Sequence, residues 1–292
     1  MQGKRYRKDV LDFERDLMSN ILSLHAELKE RRYAHSAYHA FTISDPKQRS
    51  IHKAIVKDRL VHHALYRVLY PFFDRTFIVD SYSCRKNKGT HKAIERFRAF
   101  SNKVSKNNTK TVWVLKCDIR KFFASVDHDV LMEILKQYIP DKDSICLLDG
   151  IIKSFHSIQD GVGLPLGNLT SQLLVNIYMN EFDQFVKHRI KAKYYVRYAD
   201  DFVFLSQDKA LLENILVEIG LFLNNHLNLT LHPDKVFIKT LDSGVDFLGW
   251  VHFSNYRVLR TATKKRMIRT IIQKSGKKET IISYLGMLSH GN

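Results

Sequence analysis

The chain has 292 residues, 45% of them hydrophobic, with 12 glycines and five prolines. That composition supplies a sizeable core and excludes a disordered or low-complexity protein. Its net charge of +17 points to a polyanionic partner, either nucleic acid or an anionic membrane surface. The cysteines Cys84, Cys117 and Cys146 are odd in number and far apart, so they match neither a disulfide framework nor a zinc pattern.

The opening "MQGKRYRKDVLDF" lacks the apolar run of a signal peptide, and residues 1–40 read as mixed helix. From Arg49 to Phe73, apolar residues at Ile51, Ile55, Leu60, Ala64, Leu65 and Leu69 predict a helix with a basic opposite face. "SYSCRKNKGTHKAIERFRAF" reads as a basic loop entering a second helix. The β-rich run Val112–Leu115 points at Asp118. Asp127 suits the N-cap of a helix over Val130–Tyr138. "GVGLPLGN" is a turn-rich loop, and Leu169, Leu173, Leu174, Ile177, Tyr178, Phe182 and Phe185 then keep helical spacing.

The uncharged stretch "GVGLPLGNLTSQLLVNIYMN" holds too many Gly, Pro, Asn and hydroxyl side chains for a membrane span. A soluble, cytoplasmic protein with reduced thiols and no membrane partner is expected. "YYVRYADDFVFLS" (194–206) is two strand-like runs joined at Ala199, Asp200 and Asp201, which predicts a hairpin. Leu211–Leu223 is an amphipathic helix, and "LTLHPDKVFIKT" and "VDFLGWVHF" read as short strands. From Val251 onward nine Lys or Arg face a single acid, Glu279, in a basic helical tail. The order of elements is α+β, with helices backing an antiparallel sheet.

Asp118 ends a strand, and Asp200 and Asp201 lie in a hairpin turn 82 residues later. If those elements are neighbours in one sheet, three carboxylates converge. Such acids repel unless a hard cation neutralises them, and magnesium suits a few carboxylates shared with water and phosphates. Two such ions about 3.5–4 Å apart can stabilise the attacking and leaving oxygens of a phosphoryl displacement. The plainer alternative is that Asp-Asp in a hairpin is ordinary turn chemistry.

"KCDIRKFFASVDHDVL", "GLPLGNLTSQLLVNIYMNEFD", "YADD", "HPDKVFI" and "VDFLGW" stand in the order of reverse transcriptase motifs. The chain resembles the bacterial, group II intron-like branch from about Arg49 to Trp250. Its central loop, Leu166-Gly167-Asn168-Leu169-Thr170-Ser171-Gln172, looks like that of the reverse transcriptases of diversity-generating retroelements. The resemblance implies a right-hand polymerase. Residues 1–110 would form an N-terminal extension and helical or loop fingers. Residues 111–250 would form the antiparallel-sheet palm, with fingers/palm loop elements around 140–170, and 251–292 a basic helical thumb.

It also implies roles. Asp118, Asp200 and Asp201 would be catalytic and would hold two Mg2+ ions together with the carbonyl of Ile119. Arg85, Lys88, Phe123, Leu166, Gly167 and Lys235 would bind the dNTP. Phe123 would exclude a ribose 2′-hydroxyl while Phe122 packs in the core, and Lys235 would protonate pyrophosphate. Phe247, Leu248, Gly249, Lys264, Lys265, Arg266 and Arg269 would hold primer and template. His91, in the same fingers motif, reads as structural. Expected partners are template RNA, the RNA–DNA hybrid, dNTPs and a small basic accessory protein. The implied activity is error-prone copying of RNA into cDNA. A stand-alone defence-type or retron-type reverse transcriptase, or a non-catalytic nucleic-acid-binding protein of this fold, are the alternatives.

Overall fold

A computed structural model describes residues 6–44 and 48–289, with the side chain of Met287 left aside. In chain order the elements are α1 (Lys8–Arg15), α2 (Leu17–Lys29), β1 (His39–Ile43), β2 (Arg49–Lys53), α3 (Val56–Phe73) and α4 (Thr90–Val104). Then come β3 (Trp113–Asp118), α5 (His128–Tyr138), α6 (Lys142–Lys153), α7 (Leu169–His188), β4 (Tyr195–Tyr198), β5 (Asp201–Ser206) and α8 (Lys209–Leu227). The chain continues through β6 (Phe237–Thr240), β7 (Val245–Phe247), β8 (Trp250–His252), β9 (Arg257–Leu259), α9 (Thr261–Gln273) and α10 (Lys278–Leu288).

These elements form two compact units that interleave along the sequence. The first holds 1–77, 121–181 and 226–229; the second holds 78–120, 182–225 and 230–292.

In the first unit, Asp127 caps α5 as its sequence position predicts, its Oδ1 accepting from the backbone N–H groups of Asp129 and Val130 at 2.9 and 3.0 Å. Two expectations need correction there. Residues 142–153, read as loop, form α6, capped by Asp141, which accepts from Ser144 N at 2.8 Å. Leu148, Ile151 and Ile152 bury one face of it. Arg49–Lys53, read as the start of a helix, is a strand antiparallel to β1, with Phe41 opposite Ile51. Over a window this short, Ile51 and Ile55 fit a period of two or of 3.6 equally well, and the helical stripe starts only at Val56.

A buried polar chain crosses the first unit. Tyr33 donates to Asp58 at 2.8 Å, His35 Nε2 meets His62 Nε2 at 3.1 Å, and His62 Nδ1 meets Thr170 Oγ1 at 2.7 Å. Burial first, then His35, lowers the His62 pKa to about 4 against the pull of Asp58. An unfolded histidine titrates near 6.5. The neutral ring therefore contributes stability that is complete above pH 6.5 and is lost as pH falls through about 4. The loss amounts to about 3 kcal/mol at most. Urea midpoints of the wild type are expected to fall over that window, and His62→Gln should flatten part of the slope. An unchanged slope would mean that His62 is not held neutral.

In the second unit, a four-stranded antiparallel sheet runs in the order β4-β5-β3-β6. One face carries Leu115, Cys117, Tyr195, Phe202 and Phe204. It packs on Phe182 of α7 and, through Phe182, on Phe222 of α8. The other carries Val114, Val196, Val203 and Leu205 against Ala93, Phe97, Phe100 and Val104 of α4. This is the expected α+β arrangement of helices backing an antiparallel sheet. A separate three-stranded sheet, β7-β8-β9, follows, so "VDFLGWVHF" makes its own hairpin rather than extending the first sheet. Among the described residues no helix is long and apolar enough to cross a membrane.

Candidate active site

Asp118 and Asp201 sit directly opposite each other on β3 and β5, at the end of the sheet where the β4–β5 hairpin turns. Opposed residues of antiparallel strands point to the same face, and Tyr198 of β4 extends this row. Ala199 takes a left-handed φ of 57°, and Asp200 completes the turn. The sequence places the acids here because the strand-forming runs on either side leave only the Ala199-Asp200 step to reverse the chain.

Each opposed acid has its own lysine. Lys235 Nζ lies 2.7 Å from Asp118 Oδ1. Lys116, two residues before Asp118 and on the same face, brings its buried Nζ to 3.4 Å from Asp201 Oδ1, close enough to pair but without hydrogen-bond geometry. Burial raises the Asp201 pKa to about 7; Lys116 opposes the shift, while Asp200 and Asp118 add to it. A site that so disfavours a second anion is one that a cation would stabilise.

The donor set fits a hard divalent ion. Asp201 Oδ1 is buried with no hydrogen-bond partner. The bridge between Ile119 and Leu231 is closed by Arg120 N–H to Thr230 O and His232 N–H to Asp118 O, so it does not use the Ile119 carbonyl. All these donors are oxygens, as magnesium prefers. Asp200 and Asp118 both add to the raised Asp201 pKa, so the three carboxylates stand near enough to act on one another. Among the described residues no three His, Cys, Asp or Glu side chains are gathered to hold a metal by themselves. Lys116 and Lys235 offset two of the three charges.

Arg85 and Lys88 belong to the same unit, in the loop before α4. Arg85 Nη1 donates to Ile78 O and Ser81 O at 2.7 and 3.0 Å, and Lys88 Nζ donates to Val79 O at 2.7 Å above the Tyr82 ring. Phe123, Leu166 and Gly167 lie in the first unit. Phe122 is buried and Phe123 only partly so, the division the sequence suggests. Leu166 O accepts from His52 N at 2.9 Å, and Asn168 Nδ2 donates to His52 O at 2.9 Å. At Gly167, φ is 109° and an added Cβ would stand 2.8 Å from Ile51 Cγ2, so only glycine fits this loop against β2.

Phe247 is fully buried, its ring against Phe97 with centroids 5.5 Å apart. Leu248 (φ 52°) and Gly249 (φ 87°) form the β7–β8 turn. Lys264, Lys265 and Arg269 are exposed on α9 and Arg266 is partly so; no α9 residue is buried.

The sequence reading missed Lys116, Asp183 and Arg197. Arg197 and Asp183 are both fully buried and paired at 2.6 Å. The available signal was a cation at an inward position of an apolar strand, in "VLKCD" and "YYVRY".

A helix-backed antiparallel sheet with paired acids where its β4–β5 hairpin turns is the palm of a right-hand polymerase. The family model described as "Reverse transcriptase (RNA-dependent DNA polymerase)" matches residues 44–286, and the chain belongs to that family. It is 28% identical over 275 residues to Protein YkfC of Escherichia coli (strain K12), covering 80% of this chain and 70% of that protein. It is 24% identical over 279 residues to the group II intron-encoded protein LtrA of Lactococcus lactis subsp. cremoris, covering 72% of this chain and 44% of LtrA. Among solved structures, telomerase from Candida albicans in complex with a TWJ fragment of telomeric RNA superposes with a TM-score of 0.60. That match has 12% identity and covers 85% of this chain and 51% of the telomerase, a likeness of fold alone. The chain thus spans about half or less of these last two relatives.

Proposed function

We propose that the chain is an RNA-directed DNA polymerase that copies a template RNA into cDNA with Mg2+, as the error-prone reverse transcriptase of a diversity-generating retroelement. The observation that carries the polymerase reading is the opposition of Asp118 and Asp201 at the hairpin that bears Asp200. The Leu166–Gln172 loop supports the subclass. In this reading Asp118 and Asp200, with Asp201 beside them and the Ile119 carbonyl, hold two Mg2+ ions. Bound there, the ions supply charge neutralisation at the attacking and departing oxygens.

The chain's own groups do the rest. Lys235, which pairs with Asp118, gives its proton to pyrophosphate in this reading. Arg85 and Lys88 take the triphosphate as charge-assisted donors. The Leu248–Gly249 turn and the β7–β8 backbone steady the primer end. Lys264, Lys265, Arg266 and Arg269 lie along the template–primer backbone, and a small basic accessory protein is a partner.

Phe123 is the sugar gate in this reading, because a ring under the ribose leaves no room for a 2′-hydroxyl and offers it no partner. Phe123→Val is expected to raise rNTP incorporation relative to dNTP by about tenfold or more, the scale of one lost steric or polar discrimination. An unchanged ratio in single-nucleotide extension would move the gate elsewhere.

Leu166 tests the subclass. A glutamine at this position offers an amide that can hydrogen-bond near the incoming nucleotide, and leucine has no donor or acceptor. A bond made only with a correctly shaped pair is worth about 0.5–1.5 kcal/mol. Its absence therefore costs up to about tenfold in discrimination. Sequencing cDNA made on one RNA template is expected to show frequent misincorporation opposite adenine by wild type and several-fold less by Leu166→Gln. An active mutant with the wild-type error spectrum would defeat this part of the reading.

A further inference from the structure

We infer that Arg197 is a positioning residue that locks the acid-bearing turn and the Arg85/Lys88 loop into one register, an inference that rests on the polymerase reading above. Its guanidinium is fully buried, and so is its partner Asp183. Arg197 Nε donates to Asp183 Oδ1 at 2.8 Å and Nη2 to Asp183 Oδ2 at 2.6 Å. Tyr195 OH donates to the same carboxylate at 2.8 Å. Filling this space does not require charge, since buried ion pairs are commonly replaced by apolar pairs without loss of stability. What an apolar pair lacks is direction, and the fork's remaining bonds show where that direction goes.

Nη1 donates to Ala199 O at 3.1 Å, inside the turn that presents Asp200. Ala199 holds a left-handed φ of 57°, a conformation alanine does not choose unaided, so the carbonyl is held from behind. Nη2 also donates to Ser81 Oγ at 3.1 Å. The Arg197 backbone completes the link: its N–H donates to Asp80 O and its carbonyl accepts from Tyr82 N, both at 3.0 Å. Ser81 is in turn the residue on which Arg85 rests, through Ser81 O. One planar group therefore touches the turn that carries an acid and the root of the loop that carries two cations. Neither segment can shift without breaking one of its bonds, and lysine, a point donor without a fork, cannot make them together.

Two variants test this in purified full-length protein. Arg197→Lys keeps the charge beside Asp183 and loses the fork. It is expected to lower kcat for single dNTP incorporation about tenfold and to raise the dNTP KM at the same time, the scale of one or two lost hydrogen bonds. Ser81→Ala keeps the bonds to Asp183 and Ala199. It is expected to raise the dNTP KM about threefold with kcat within about twofold of wild type. Hydrogen exchange at the amides of Tyr82 and Gly89 should speed up in both variants while the amides of β5 stay protected, a readout that needs no catalysis. Wild-type kcat, KM and exchange in a folded Arg197→Lys overturn the inference. If Arg197→Lys does not fold, Ser81→Ala decides alone, and unchanged KM and exchange there overturn it. A wild-type protein that incorporates nothing refutes the polymerase reading itself, whereas an active wild type with silent variants refutes only the role of Arg197.

Discussion

Asp200→Asn is expected to lower nucleotide incorporation by at least about a thousandfold, the scale of losing a group that acts in the chemical step itself. Asparagine keeps the shape of the turn and removes the charge that would hold magnesium. Asp200 is a cleaner choice than its neighbour. At Asp201 the same change would leave the buried Lys116 ammonium beside a neutral amide, so a stability loss would accompany any loss of chemistry. RNA affinity, measured in the absence of dNTP, should stay within about twofold of wild type, because a single carboxylate in the turn makes no backbone phosphate contact. Retained polymerisation would refute the assignment of Asp200, and a parallel loss of RNA binding would mean the variant is misfolded.

Truncation after Arg260 is expected to be nearly as severe for binding. A cut at Ser254 would remove β9 as well, which pairs with β8 and buries Leu259 in one cluster with Trp250. Arg260 itself pairs with Asp246, so it belongs with the sheet. The cut after it removes α9 with Lys264, Lys265, Arg266 and Arg269, and α10 with Lys274, Lys277 and Lys278 beside or in it, while leaving the sheet intact. With four cations on phosphates, the slope of log affinity against log salt should fall by about three, from about 0.7–0.9 per contact. Affinity for an RNA–DNA hybrid at low salt should drop by orders of magnitude, while the rate of single-nucleotide addition at saturating hybrid changes far less. An unaltered salt slope would show that α9 does not lie on the backbone.

The parts of this protein legible in its sequence are those set by local chemistry. Asp127 as a cap, the β4–β5 hairpin around Ala199-Asp200, Asp118 at a strand end and the helical stripe of α7 all follow from side chains within a few residues of one another. The β1–β2 pairing is not legible, because its five-residue strands carry too few apolar positions to separate two periods. Helix α6 was overlooked although Asp141 and its Ile and Leu spacing announce it. The unread part of the site is long-range. Nothing near Lys116 in sequence says that its ammonium meets Asp201, and Arg197 and Asp183 reveal themselves only when strand and helix pack. The burial of the Phe247 ring is likewise not legible, because a motif gives the place of a residue but not the side its ring faces.

The central sheet has a consequence for synthesis on the ribosome. Strand β3 is paired on one side with β5, at Asp118–Asp201, and on the other with β6, at Trp113–Thr240. Both partners lie far downstream, and α5, α6 and α7 emerge between them. A growing chain must therefore carry an apolar strand with two open edges until β5 is made more than eighty residues later, and with one open edge until β6 follows. Such delayed, non-local pairing makes folding slow and leaves the strand edges exposed to other chains meanwhile. Stalled chains ending before residue 201 are expected to lack the protease-resistant palm, and chains that expose residue 240 to acquire it in one step. The acids thus meet only once most of the polypeptide exists, so no half-made chain presents the paired carboxylates.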